Sequence, residues 1–426
     1  MQVFSIRRAP GKLKYLAASE SAMGVFINDI APSRPRRCCA MSAEVADVTL
    51  AIRSAFSDRF GRSPEGVWAA PARVNLVGEH TDYNDGFVLP LAIDRRVTVA
   101  AARRPDDLVR LVSLQKGRQE LRLADIRPGA VGGWAAYAAG PVWALAQEGV
   151  EVGGLDLVID SDVPVGSGLS SSAAVECAVV LAARDLYGGP RDAARLALIA
   201  QRAEHEVVGV PCGIMDQMAS MACTAGHVLL LDCRSLAADQ VPFALADTGL
   251  VLLVIDTRVS HALADGTYAK RRRDCEHAAR ILGVPALRDA TETGLDAARD
   301  RLGEVRYRLA RHVVRENARV RAVVELLRVG QPDMIGGALS ASHASLRDDY
   351  AVSAVELDTA VAAARAAGAL GARMTGAGFG GCALALAAAE TADEVTDAVT
   401  AAFADRGFRP PEVFATSPSD GARRLA

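Results

Sequence analysis

The stretch Gly371-Ala372-Arg373-Met374-Thr375-Gly376-Ala377-Gly378-Phe379-Gly380-Gly381-Cys382 decides the fold, because its glycines invite the wrong one. Gly376, Gly378 and Gly381 satisfy G-x-G-x-x-G, but a dinucleotide site needs those glycines after a strand and before a helix. Here an apolar, strand-like run, residues 383–386, follows at once. The segment reads as a hairpin-like connection whose bare backbone must approach something closely. Taken alone, a plain Gly-rich turn would explain it equally well.

Outward from that loop, strands and helices mix without a regular rhythm. Toward the C-terminus a helix is expected over 391–403 and a strand over 412–415. Upstream, helical periodicity covers 305–327, 334–346 and 354–367, the last closed by Gly368. Short apolar runs at 228–232 and 250–255 read as strands, the second fully buried. In the first half, strands are expected at 66–70, 97–102, 108–114 and 155–159, with a polar loop over 73–87. Helices are expected from Met41 and at 134–148, 173–186 and 191–208. This order lacks the β-α alternation of a doubly wound sheet, so the class is α+β. A chain of 426 residues is long enough for two lobes, and the junction falls near 205–225. The expected division is 41–215 and 216–426.

The first 40 residues differ from the rest. Seven Lys/Arg stand against Glu20 and Asp29, without sustained periodicity. A basic, acid-poor leader could be a transit peptide, or Met41 could be the true start, or the segment could be a disordered tail. In each reading it is dispensable to the fold.

Composition narrows the function. The formal net charge is −3, so no global field draws the chain to nucleic acid or anionic membrane. The basic run Lys270-Arg271-Arg272-Arg273 lies in a helical stretch beside Asp274 and Glu276 and reads as a solvated face. No apolar run approaches the ~18 residues of a membrane span. Eight cysteines are scattered without C-x-x-C or zinc-like spacing, as in reduced, cytoplasmic proteins.

Two further loops and one carboxylate carry chemistry. Arg73-Val74-Asn75-Leu76-Val77-Gly78-Glu79-His80-Thr81-Asp82-Tyr83-Asn84 packs an Arg, two acids, a His and two Asn around a short apolar pair. Glu79, His80 and Asp82 offer acceptors for adjacent hydroxyls on a sugar. The competing reading is a solvated loop. Pro164-Val165-Gly166-Ser167-Gly168-Leu169-Ser170-Ser171-Ser172-Ala173-Ala174 lies between a strand and a helix, where exposed amides and the positive helix end favour a polyphosphate. A serine hydroxyl there could ligate Mg²⁺. The loop has no Lys, and no Walker or protein-kinase signature exists in the chain. Asp216, in Gly213-Ile214-Met215-Asp216-Gln217, has apolar neighbours suited to a carboxylate near a reacting hydroxyl, although a lone Asp is more often a helix cap.

Together the three loops resemble the motifs of the GHMP small-molecule kinases, and the form of 73–84 resembles the signature of the galactokinases among them. The likeness extends through 212–217, Asp232-Cys233-Arg234-Ser235, Tyr268 with Arg271-Arg272-Arg273, and Ser345-Leu346-Arg347-Asp348-Asp349-Tyr350. It covers essentially Met41 to the C-terminus. The resemblance implies two α+β lobes with the active site in the cleft between them. It implies Mg-ATP-dependent phosphorylation of the anomeric hydroxyl of galactose, the opening step of the Leloir pathway, by a cytoplasmic monomer without nucleic-acid or membrane partners.

By the same resemblance Asp216 is the catalytic carboxylate and Arg73 its partner. Whether Asp216 takes the proton or mainly orients the hydroxyl stays open. Sugar contacts fall to Arg73, Glu79, His80, Asp82, Gly213, Asp216 and Tyr268. The ATP loop supplies Gly166, Ser167, Gly168, Leu169, Ser170, Ser171, Ser172 and Ala173. Trp134 and Tyr137 resemble the aromatics beside adenine, although two core aromatics at i and i+3 would look the same. Ser172 and Glu204 resemble the magnesium ligands. One departure is Arg258-Val259-Ser260-His261, where the family often has Asn and a basic residue before the His.

Two alternatives compete. A relative acting on N-acetylgalactosamine or arabinose would carry the same loops. A non-catalytic sugar and ATP sensor could have lost catalytic groups, but Arg73, Asp216 and the triple serine are all present.

Overall fold

The quoted Gly-rich segment joins two antiparallel strands, Gly371–Thr375 and Cys382–Ala388, with Thr375 opposite Cys382. That is the expected hairpin, and it removes the dinucleotide reading. A computed structural model describes residues 36–164, 166–259 and 265–426, with the backbone alone at 36–44 and 265–266. The expected leader therefore lies outside the described residues except for the start of the helix Arg36–Phe60, which begins ahead of Met41. The Ser260-His261 departure also lies outside them.

Val45–Ala426 forms one compact unit built on two main sheets. The six-stranded sheet runs in the order Arg423–Arg424, Gly66–Asn75, Pro90–Arg104, Gly154–Ser161, Leu108–Ser113, Gly117–Arg122. Only the pairing of Leu108–Ser113 with Gly154–Ser161 is parallel among the described strands. Strand alternation splits its side chains between two cores. Val67, Ala100, Ala102 and Val158 pack under Ile52 and Phe56 of the first helix. Trp68, Val99, Ala101, Leu155 and Leu157 face the other way, into the core filled by the helices Trp134–Gln147, Ser171–Tyr187, Ala193–Ala203 and Met215–Ala222.

The four-stranded sheet runs Gly371–Thr375, Cys382–Ala388, Leu250–Asp256, Glu412–Thr416 and likewise sends alternate side chains into two cores. Leu252, Val254, Leu384 and Leu386 join the core that those four helices fill. Leu253, Ile255, Ala383 and Ala385 join a third core, with Met374 and the helices Val355–Ala366 and Ala392–Asp405. Burial on both faces explains why 250–255 is apolar without alternation. Largely antiparallel sheets covered by helices, with one parallel pairing, fit the α+β class.

Several boundaries differ from expectation for physical reasons. The first strand extends through Asn75, so Arg73 and Asn75 are strand residues, not loop. Every position of that strand is buried and Arg73 is neutralised by a partner, which erases the polar/apolar alternation. Asp192 caps a helix, its carboxylate accepting from the Arg195 amide, and that helix stops at Ala203. A π-helical turn, Glu204–Val208, follows and turns Glu204 inward. The helix expected over 305–327 spans Arg299–Arg328, broken at Gly303 by a φ of 69°. The edge strands Gly117–Arg122 and Ala238–Pro242 are mostly exposed and polar, so they left no apolar signal.

Candidate active site

The galactokinase-like signature occupies the end of strand Gly66–Asn75 and the loop after it. Glu79 is its brace. Its Oε2 accepts from Asn75 Nδ2 at 2.8 Å, and its Oε1 accepts from Thr375 Oγ1 at 3.1 Å and the Gly376 amide at 2.5 Å. Arg373, fully buried, lies 3.3 Å from the same oxygen. The signature and the Gly-rich hairpin are thus tied through one carboxylate.

The long helix Arg299–Arg328 holds the loop from the other side. His312 Nε2 meets the Glu79 carbonyl at 3.0 Å, Glu316 Oε1 accepts from the Gly78 amide at 2.9 Å, and Asn317 Oδ1 from the Phe87 amide at 2.8 Å. His312 and Glu316, four residues apart, share one helix face, and Asn317 reaches the loop from beside them.

Arg73 and Asp216 form a bidentate pair. Arg73 Nε and Nη2 donate to Asp216 Oδ1 and Oδ2 at 2.8 and 2.9 Å. Its Nη1 donates to the Gly168 carbonyl at 2.6 Å, and the Ser170 hydroxyl hydrogen-bonds Asp216 as well. Burial works against the Arg73 charge, yet the Asp216 and Glu79 carboxylates outweigh it and raise its pKa. Asp216 sits in the first turn of the helix Met215–Ala222, with a quarter of its side chain exposed.

That exposed edge opens into a cavity of about 450 Å³, lined by Arg73, Glu79, His80, Asp82, Gly213, Asp216 and Tyr268. All seven expected sugar residues therefore share one pocket, and Glu204 lines it too. Asp82 stands where a Cβ on residue 213 would be, within 1.7 Å of its Oδ2, so only glycine fits there. Burial lifts the Asp82 carboxyl to about 7, and the neighbouring Asp216 and Glu79 charges push the same way. Burial pushes His80 down to about 3, so its ring is neutral.

A second cavity, about 570 Å³, lies on the other side of the serine loop. Trp134, Tyr137, Gly166, Ser171 and Ser172 line it, as does Lys116, which sequence reading overlooked. Its signal was slight: a single exposed Lys in the turn Gln115-Lys116-Gly117. The helix Ser171–Tyr187 begins at this cavity, so its amide-rich end faces the space. Among the described residues, the other loop residues expected at ATP do not line it. Ser167, Leu169 and Ala173 are buried, Gly168 and Leu169 carbonyls accept from Arg73, and Ser170, at φ 60°, turns toward Asp216. The hairpin glycines fill out the wall between: a Cβ at Gly376 would lie 2.8 Å from the Gly168 carbonyl. Their close approach is to protein backbone.

Ser172 links the cavities, hydrogen-bonding the Glu204 carboxyl. Gln217 Nε2 donates to Glu204 Oε2 at 2.6 Å and Glu176 Oε2 at 3.1 Å. Burial raises the pKa of both acids, and Glu204 adds to the effect on Glu176. No basic side chain hydrogen-bonds either acid among the described residues.

Comparison with known proteins identifies the family. Residues 54–103 match the galactokinase galactose-binding signature, 136–224 the GHMP kinases N terminal domain, and 323–405 the GHMP kinases C terminal domain. A Streptomyces coelicolor galactokinase is 53% identical over 375 residues, 87% of this chain and 97% of the relative. A Homo sapiens galactokinase is 42% identical over 82% of this chain and 90% of its own length. The crystal structure of Lactococcus lactis galactokinase complexed with galactose superposes with a TM-score of 0.84 at 34% identity, over 89% of this chain and all of that one. Methanococcus jannaschii mevalonate kinase, 18% identical with a TM-score of 0.60 over 83% of this chain and 98% of its own, shares the fold. The chain belongs to the galactokinase family of the GHMP kinases.

Proposed function

We propose that this chain transfers the γ-phosphoryl group of ATP to the anomeric hydroxyl of galactose, giving galactose 1-phosphate and ADP. The observation that carries this reading is the Arg73–Asp216 pair, set in the wall of a pocket that several charged side chains line and bonded to the serine loop behind it. Galactose fits the smaller cavity, where Asp82, His80, Tyr268 and Asp216 offer hydroxyl-binding groups. ATP fits the larger one, with adenine beside Trp134 and Tyr137 and phosphates at the start of the helix Ser171–Tyr187. Lys116 adds a cation to the nucleotide side, offsetting the lack of Lys in the loop.

Asp216 accepts a hydrogen bond from the anomeric hydroxyl and points its oxygen at the phosphoryl group. Proton uptake and orientation are both open to it, since positioning and charge stabilisation dominate this chemistry. Arg73 fixes the carboxylate by two bonds and keeps a positive charge beside the reacting oxygens. Glu79 and Arg373 hold the pocket floor against the hairpin.

The residues also fit Mg²⁺. Glu204 and Ser172 are hard oxygen donors between the cavities, and the buried Glu176–Glu204 pair lacks a basic counter-charge among the described residues. Glu204 and Ser172 would hold the ion, which supplies positive charge for the phosphate oxygens.

We further assign 41–215 and 216–426 as the two kinase domains, with residues 1–40 outside them. The family models match only within 54–405, which supports leaving residues 1–40 outside the kinase domains. A cytoplasmic monomer is the matching assembly; the six described cysteines are free thiols, as a reducing compartment favours.

Initial rates with galactose, N-acetylgalactosamine, arabinose, glucose and mevalonate test the substrate. Galactose should give the highest kcat/KM. A higher value for any of the others defeats the proposal.

A further inference from the structure

Tyr350, the last residue of the Ser345–Tyr350 motif, has no place in the chemistry above, yet it is fully buried next to the sugar loop. Its ring lies between two imidazoles, 4.7 Å from His80 and 4.6 Å from His312. Its hydroxyl lies 2.7 Å from the Tyr83 hydroxyl and 3.2 Å from Cys275 Sγ. Tyr83 in turn lies 2.8 Å from His80 Nδ1, and His80 Nε2 lies 3.2 Å from the Ala377 carbonyl of the Gly-rich hairpin.

The proton order along this row has one consistent solution. The Ala377 carbonyl only accepts, so His80 Nε2 must carry the proton. A neutral imidazole then has a bare Nδ1, which needs a donor, and Tyr83 is the group in reach. Having donated its proton to His80, Tyr83 must accept from Tyr350, and Tyr350 from the Cys275 thiol. Each group has a single proton and each bond uses one. The opposite His80 tautomer would set a ring lone pair against a carbonyl oxygen and reverse every bond in the row.

We propose that Tyr350 is a positioning residue for sugar recognition: by hydrogen-bonding Tyr83 it aims the Tyr83 proton at His80 Nδ1 and so reinforces the Nε2–H tautomer that the Ala377 carbonyl selects. His80 and Ala377 both line the sugar cavity, so the Nε2–H tautomer ties the ring to the hairpin and fixes how His80 is held at that wall. This rests on the reading of that cavity as the galactose site.

The test combines a spectrum with kinetics on the full chain. In ¹⁵N-histidine-labelled protein, long-range ¹H–¹⁵N correlation separates protonated from bare ring nitrogens, and loss of one signal set in His80→Gln assigns His80. The expected wild-type pattern is protonated Nε2 and bare Nδ1 at neutral pH. A protonated Nδ1, or an even mixture, overturns the proposal whatever the variants do. Tyr350→Phe keeps the ring between the imidazoles and removes only the hydroxyl. It should blur the tautomer preference and raise the galactose KM about fivefold, the worth of roughly one net hydrogen bond, with kcat and the ATP KM changed less than about twofold. An unchanged spectrum and galactose KM, or equal rises in both KM values, overturns it. Wild-type turnover of galactose is measured first. Its absence would strike the substrate assignment, while the spectrum still decides the tautomer.

Discussion

Gly213 and Asp82 occupy one space: a Cβ on the first would fall 1.7 Å from a carboxylate oxygen of the second. The sugar pocket therefore depends on an absent side chain as much as on those present. Gly213→Ala should displace the Asp82 carboxylate and weaken galactose binding by about tenfold or more, the range for a lost charged hydrogen bond. ATP binding, on the far side of the serine loop, should hold. Calorimetric titration with each ligand separately checks the split.

The same carboxylate gives the site a pH dependence. Burial raises Asp82 to about 7, so the free enzyme holds it ionised above that pH and protonated below. A protonated Asp82 loses acceptor capacity toward sugar hydroxyls, so kcat/KM for galactose should fall as pH drops through 7, by about tenfold per unit once well below it. Asp82→Asn should lower kcat/KM and flatten this limb of the profile. A limb unchanged in Asp82→Asn would assign the titration to another group.

Glu79 and Arg373 predict a stability effect distinct from catalysis. Both side chains are buried, and Glu79→Ala would leave the Arg373 guanidinium without its ion-pair partner. Breaking a buried pair from one side costs about 3–5 kcal/mol. Glu79→Gln keeps an acceptor for the Gly376 amide and should cost less. Urea unfolding of the two variants should rank them in that order, and equal midpoints would remove the ion pair from the account.

The sequence exposed the site more fully than the scaffold around it. Arg73, Asp82, the serine run and Asp216 are short polar or glycine-rich features, whose chemistry is visible without knowing their neighbours. The hairpin was legible because an apolar run follows Gly381 at once. What escaped were partners chosen across the chain. His312, Glu316 and Asn317 grip the signature loop from a helix more than two hundred residues away in sequence, and each reads locally as an ordinary polar residue of that helix. The Glu176–Gln217 contact is equally invisible to local spacing. The exposed edge strands lacked the apolar alternation that marks a strand, and Arg73 was misread as loop because its charge is cancelled only by Asp216, far along the chain.

Asp216→Ala should reduce turnover by at least about a thousandfold, because it removes the group facing the anomeric hydroxyl and releases Arg73 from its geometry. Galactose binding should persist, since Asp82, His80 and Tyr268 line the pocket independently. Calorimetry beside steady-state kinetics separates the two effects. Turnover close to wild type would take Asp216 out of the mechanism.

Residues 1–40 predict the opposite result: deletion with little consequence. The first helix meets the six-stranded sheet through Ile52 and Phe56, which pack with Val67, Ala100, Ala102 and Val158. A chain starting at Met41 keeps both anchors, so its melting temperature and galactose turnover should match the full chain. A chain starting after Phe60 loses them and uncovers one face of that sheet. Each buried aliphatic or aromatic side chain lost is worth about 1.5–3 kcal/mol, enough for two of them to take a large part of a domain's stability. The sheet's first strand, Gly66–Asn75, carries Arg73 near its end, so the second truncation should lose activity along with its fold. If the first truncation lost either property to a similar degree, the leader would belong to the enzyme.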